Sequence, residues 1–369
     1  MAYKKKTLPK DFKELLKTGD LDALRAVFDT CDINAKGGVF KQTALAFSEC
    51  TDEFTRWLVD QGADLSIGDN YGETPLHARS GSSLGRLDVL IELGADIHHG
   101  ENARGTPLHK AAGACHVENV QTLLNHGARA AAENKSGLTP LIYALQRCSN
   151  IERTAELAAL LVQAEADQTP QEKSLFKSLF GGGKRQDAHQ TPQAKELVTE
   201  IGTNFEFHRG NFDENSVEAT IVGLNKLYVL FDVPPVPQRA MHDGKASIVA
   251  KAKSPAQQHK ELWEFLVPSS GAADTIQGEV VRISGKVNRE IDGNGGVNWD
   301  KEFKSMANAF LDYVGAGEPL PDAELNEARQ IIANLTAQGG NTVRLCELAV
   351  MWVGLNPKPE KLVATNYSR

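Results

Sequence analysis

The sequence predicts an all-α protein in two parts: a solenoid of about five stacked helix pairs, then a non-repetitive helical domain. Three observations carry this expectation. Thr74-Pro75-Leu76-His77 recurs as Thr106-Pro107-Leu108-His109, and about 33 residues around it repeat. Threonines at positions 43, 74, 106 and 139 keep nearly even spacing. Beyond Pro192 apolar residues still fall at steps of three and four, but the repetition stops.

Taken in order, an opening copy runs from Asp11 to Asn34, with Leu15, Leu16, Leu24, Val27 and Phe28 at helical spacing. The second is shortened between Thr43 and Trp57 and closes at Gly62-Ala63-Asp64. The third runs from Thr74 through Leu90-Ile91 to Gly94-Ala95-Asp96, and the fourth from Thr106 through Leu123-Leu124 to Gly127-Ala128. The fifth runs from Thr139-Pro140-Leu141 through Leu160-Leu161 to Ala166-Asp167. Each threonine is placed to cap a first helix, and after Thr74, Thr106 and Thr139 proline follows at the first helical position, where its missing N–H costs nothing. Gly62, Gly94 and Gly127 supply the positive-φ stop after each second helix. No single copy buries its apolar face alone, so about three or more must stack.

The phrase Gly105-Thr106-Pro107-Leu108-His109-Lys110-Ala111-Ala112, followed by Leu123-Leu124-Asn125-His126-Gly127-Ala128, closely resembles the ankyrin repeat. The degenerate copies extend the resemblance over residues 7–169. It implies a solenoid of about five repeats whose short β-hairpin tips and inner helices form a concave face that binds a protein partner. It also implies that His77 and His109 tie each helix start to its own threonine and to neighbouring loops. Candidate contact residues at the tips are Lys41, Asn70, Tyr71, His99, Arg104 and Lys135; those on inner helices are Arg79, Lys110 and Tyr143. Tyr71 and Arg104 rank first, because Tyr and Arg dominate binding hot spots. Arg79 and Ser80 stand where the family has small residues, so irregular curvature is expected.

At 369 residues the chain exceeds what one core usually supports. We expect a connector at 170–190 and an all-helical domain at 191–360. The net charge of −8 divides into −5 before residue 170 (18 basic, 23 acidic) and −3 after it (22 basic, 25 acidic). Neither half has the basic excess that phosphate neutralisation needs, so nucleic acid is not expected as a partner. Five scattered cysteines form no secreted disulfide framework. Cys115 and Cys148, in equivalent places of successive copies, are expected about 8–10 Å apart, too far for an unstrained bridge. No stretch approaches an apolar membrane span of about 18 residues, and a soluble cytoplasmic protein is expected.

Within the connector, Gly181-Gly182-Gly183-Lys184 fails the phosphate-loop pattern, since Ser178 replaces the first glycine and Arg185 follows the lysine. Leu175, Phe176, Leu179 and Phe180 suggest a short amphipathic helix.

The second half reads as helices over 194–207, 213–231, 254–266, 274–291, 298–314, 322–337 and 343–355. Pro234, Pro235 and Pro237 make a stiff connector or a polyproline ligand. Gln277, Glu279, Arg282, Glu290 and Asp300 form a possible polar site, the alternative being solvated helix-surface pairs. Asp292-x-Asn294 begins like a calcium loop, but Val297 and Phe303 occupy positions needing Gly and Glu. Asn298 is expected to cap the following helix. Neither zinc spacing nor a nucleophile signature is found, so no metal, cofactor or catalytic residue is expected. Two functions follow: a protein-binding adaptor, scaffold or inhibitor, or an enzyme or small-ligand sensor in the helical domain that the repeats target or regulate.

Overall fold

The computed structural model describes residues 4–100, 104–168, 189–209, 214–337, 339–365 and 367, which hold sixteen α-helices and one small sheet. The expected amphipathic helix around Leu175–Phe180 lies outside the described residues. The chain forms two compact units: Met1–Gly202 with Glu214–Pro235, and Thr203–Asp213 with Val236–Arg369.

The first unit begins with α1 (Phe12–Thr18) and α2 (Leu21–Thr30). Gly19, at φ 70°, ends α1, and the Asp20 carboxylate caps α2 by accepting from the Ala23 amide at 3.0 Å. Phe12, Leu16, Leu24 and Phe28 are buried, with the two phenyl rings edge to face at 6.1 Å. A three-stranded sheet follows from the same segment. Strand β1 (Lys5–Thr7) pairs parallel with β2 (Cys31–Gly37), which pairs antiparallel with β3 (Gln42–Thr43). In the shortened second copy the first helix shrinks to a 3₁₀ turn, Ala44–Ala46, before α3 (Asp52–Asp60).

Three regular pairs come next: α4 (Pro75–Ser80) with α5 (Leu87–Glu92), α6 (Pro107–Gly113) with α7 (Val117–Asn125), and α8 (Pro140–Gln146) with α9 (Ile151–Gln168). Proline opens the first helix of each, and Leu76 and Leu108 are fully buried one residue later. Gly62, Gly94 and Gly127 take φ of 92°, 97° and 88° at the predicted stops. The histidines stitch copies together. Gly105 O can only accept, so His77 donates through Nε2 at 2.9 Å, leaving Nδ1 to accept from Thr74. His109 repeats this with Leu138 O at 2.9 Å and Thr106.

The compact unit continues past the expected connector. Helices α10 (Pro192–His208) and α11 (Glu214–Phe231) follow it, and α11 packs on α9. A Cβ at Gly223 would lie 2.8 Å from Glu152 Cα, so only glycine lets the two helices approach this closely. Thr220 Oγ1 donates to Glu152 Oε1 at 2.6 Å in the same contact. Pro192–Gly202 and Glu214–Pro235 thus group with the repeats rather than with the rest of the expected 191–360 domain.

The second unit centres on α13 (Ile276–Asn288), surrounded by α12 (Pro255–Leu266), α14 (Lys301–Val314) and α16 (Thr342–Leu355), with α15 (Asp322–Asn334) against α14 and α16. Val280, Ile283 and Val287 of the predicted stripe are fully buried, and Trp352 is 1% exposed. Ser254 and Thr275 cap α12 and α13. The segment after α13 is a π-turn, Arg289–Gly293. Asp300, not Asn298, caps α14, accepting from the Phe303 amide at 3.0 Å. Asn298 instead donates to Glu290, because the Gly-rich turn folds back over that carboxylate.

Candidate partner-binding surface

The tips of the first copies lie against one another. Asn70 donates its amide to Phe40 O at 3.0 Å, and Lys36 Nζ donates to Gly68 O at 2.6 Å. The Phe40 and Tyr71 rings are consequently 6.1 Å apart, and both stay about half exposed. The Arg104 guanidinium sits 4.5 Å above the Tyr71 ring, a cation–π contact at the rim of the stack. Arg104 also pairs with Glu73, at 2.9 Å, which takes the Lys110 ammonium as well, at 2.8 Å. Burial works to raise the Glu73 carboxyl, but hydrogen bonds and charge from Lys110 and Arg104 outweigh it and hold the pKa below its ordinary value.

The remaining expected contact residues fall around this cluster or apart from it. Lys110 lays its stem across Gly81, which has no Cβ to block it. Tyr143 is 9% exposed, edge-on to His109 at 6.0 Å, with the Arg147 guanidinium 4.4 Å over its ring. His99 is half-buried beside His77 at 5.7 Å. Lys41 and Lys135 are exposed at the first and fourth tips. Arg147 lacks the Gly or Pro punctuation that marks a tip, and only its helical offset of four from Tyr143 signals the pairing.

Arg79 is a correction. It is fully buried and offers no surface: Nε donates to Leu45 O at 2.8 Å and Nη2 to Thr55 Oγ1 at 2.9 Å. The shortened second copy leaves the Leu45 carbonyl without the amide donor that a full helix would bring, and the guanidinium donates in its place.

In the second unit the five polar candidates perform separate structural tasks. Gln277, 1% exposed, donates to Asn356 O and Lys358 O at 3.0 and 2.8 Å and accepts from the Glu360 amide at 3.0 Å. Glu279 and Arg282 form a buried pair at 2.6 Å, and Tyr367 donates its hydroxyl to Glu279 at 2.6 Å. Burial pushes the Glu279 carboxyl up, but Arg282, the Ala273 amide and Tyr367 together lower it below its ordinary value. Glu290 holds the Gly-rich turn and Asp300 caps a helix. Solvated surface pairs are therefore not what Glu279 and Arg282 make; both are inside the core.

Two residue groups were invisible in the sequence. His259, Ser284 and Cys346 meet from three helices, with His259 Nε2 2.9 Å from Ser284 Oγ and Ser284 donating to Val281 O at 3.0 Å. Burial pushes the Cys346 thiol up to about 11 against the opposing Ser284 contact, and burial lowers His259 to about 4. Both are neutral near pH 7, so the arrangement supplies no thiolate nucleophile and no imidazolium. Arg239, two residues after the last proline of the Pro-Pro-Val-Pro run, donates to the carbonyls of Trp263, Glu264 and Val267 at the end of α12 and stacks 4.2 Å over Phe207. Among the described residues no group of three or more His, Cys, Asp and Glu is arranged to hold a metal, and no helix is long and apolar enough to cross a membrane.

Stacked helix pairs stitched by Thr-Pro-Leu-His define a helical-repeat solenoid. Residues 78–172 match the family model of ankyrin repeats, in three copies, while the C-terminal region matches no family. No curated protein matches the chain.

Proposed function

We propose that residues 7–169 are a protein-binding module and that the chain serves as an adaptor, scaffold or inhibitor in the cytoplasm. The grip is the tip and inner-helix face carrying Phe40, Tyr71, Arg104 and Lys110. One observation carries the reading: the Phe40–Tyr71–Arg104 stack leaves two aromatic rings and a guanidinium exposed yet held in place by neighbours, which is the composition and rigidity of an interface hot spot. Ankyrin repeats are in general protein-interaction modules. The five free thiols support a reducing compartment.

The test is cross-linking from position 71. A photoreactive phenylalanine analogue at Tyr71 in the full chain should capture a protein partner, and Arg104→Ala in the same background should abolish the adduct. Retention of every partner by the Tyr71→Ala, Arg104→Ala double variant would overturn the reading.

A further inference from the structure

We propose that Pro234–Pro237 is a polyproline ligand, read through its prolines alone by a partner protein whose groove is lined with aromatic side chains. This goes beyond the tip surface described above and stands independently of it. Covalent geometry sets the conformation first. Each proline ring fixes its own φ at about −65°, and the residue before a proline is pushed into extended or polyproline backbone. Val233, Pro234 and Val236 each stand before one, so every residue from Val233 to Pro237 is confined in this way. The result is a helix of three residues per turn that exposes its backbone.

Burial along the segment follows that period. Val233 is buried and Val236 and Arg239 are partly buried, whereas Pro234, Pro235, Pro237 and Gln238 are exposed. One edge therefore faces the protein and the other two face water. Taken as sequence, Val-Pro-Pro-Val-Pro-Gln-Arg suits a groove that reads an arginine after the prolines as well as a groove that reads prolines only. Arg239 decides between them. It lies on the inward edge, with its guanidinium bonded to the carbonyls of Trp263, Glu264 and Val267 and stacked over Phe207, which leaves the prolines as the readable groups. Pro234 and Pro237 are one turn apart on the same outward edge. The carbonyls of Pro234 to Pro237 accept no hydrogen bond among the described residues, so they stand open to the donors of a groove. Next to the run, Tyr228, Val229 and Val233 line an open hollow of about 590 Å³ with Pro234 and Pro235, and Val229 is 82% exposed. The prolines and Val229 thus make one apolar surface, more than a plain connector needs. Proline has no rotamer freedom to lose and its backbone is already confined, so docking costs little ordering.

The experiment titrates the full chain into isotope-labelled polyproline-binding domains and follows their amide shifts by NMR. The panel holds WW domains that read prolines alone and SH3 domains that also read an arginine, with a synthetic peptide of residues 230–242 as reference. At least one WW domain should bind the full chain through its aromatic groove. Its affinity should fall roughly tenfold or more on Pro234→Ala or Pro237→Ala, and stay as in the parent on Gln238→Ala and on Tyr71→Ala with Arg104→Ala. SH3 domains that bind the peptide should bind the full chain at least about tenfold more weakly, because Arg239 is engaged. Both prolines are exposed, so unchanged urea unfolding of each variant separates lost contact from lost fold. No WW domain binding the full chain, shifts outside the groove, binding indifferent to both proline variants, or SH3 domains binding the full chain as tightly as the peptide would each overturn the inference.

Discussion

Arginine plays opposite parts at two places in the repeats. Arg104 keeps 44% of its side chain exposed and rests on a ring and one carboxylate. Arg79 has no exposure and serves the Leu45 carbonyl and Thr55 hydroxyl. Arg104→Ala together with Tyr71→Ala should therefore change unfolding free energy by no more than about 1 kcal/mol, whereas Arg79→Met should cost about 3 kcal/mol by leaving buried acceptors unpaired. Urea unfolding checks both. Arg79→Lys should not restore stability, because an ammonium cannot reach two divergent acceptors as a planar fork does. His77 adds a pH dependence. Burial lowers it to about 4 from 6.5, so below pH 6.5 the unfolded chain binds a proton that the folded chain refuses. Stability should fall as pH drops from about 6.5 to about 4, by on the order of 3 kcal/mol from this residue, and urea midpoints across that window for the parent and His77→Gln should show the slope shrink in the variant.

Among elements, the segment after α16 behaves as a strap across the start of α13. Ile276 donates to Glu360 O at 2.8 Å, Leu362 donates to Asp274 O at 3.0 Å, and the Gln277 amide group binds the strap three times. Tyr367 is 6% exposed, its hydroxyl on Glu279. Tyr367→Phe should cost about 1–2 kcal/mol and speed hydrogen exchange at the Leu362 amide. Because the folded pKa of Glu279 is lowered, its contribution is present above the ordinary carboxylate range and is lost as pH falls through the folded value. Much of this scale was legible: the helix starts at Thr74, Thr106 and Thr139 and the stops at Gly62, Gly94 and Gly127 follow from backbone chemistry that each residue imposes locally. The strap was not, since its bonds join backbone to side chains about eighty residues earlier.

At the scale of the whole molecule, each unit has its own core: stacked leucines, alanines and phenylalanines in the first, the stripe of α13 with Trp352 in the second. Scanning calorimetry should resolve two transitions. Arg79→Met should lower one and leave the other in place. Glu279→Gln, which strands the Arg282 charge in the core, should lower the second by an amount equivalent to about 3–5 kcal/mol.

The sequence by itself determined that the first half is a row of helix pairs, because caps, proline, glycine and helical periodicity act over a few residues. Only the tertiary structure decided that Arg79 is an internal prop, that Glu279, Arg282 and Tyr367 are core partners, that α11 packs on α9, and that Phe40 joins Tyr71. Burial and hydrogen-bond partnership depend on which distant segments arrive at a side chain, and the same arginine is surface or core according to what the fold places around it.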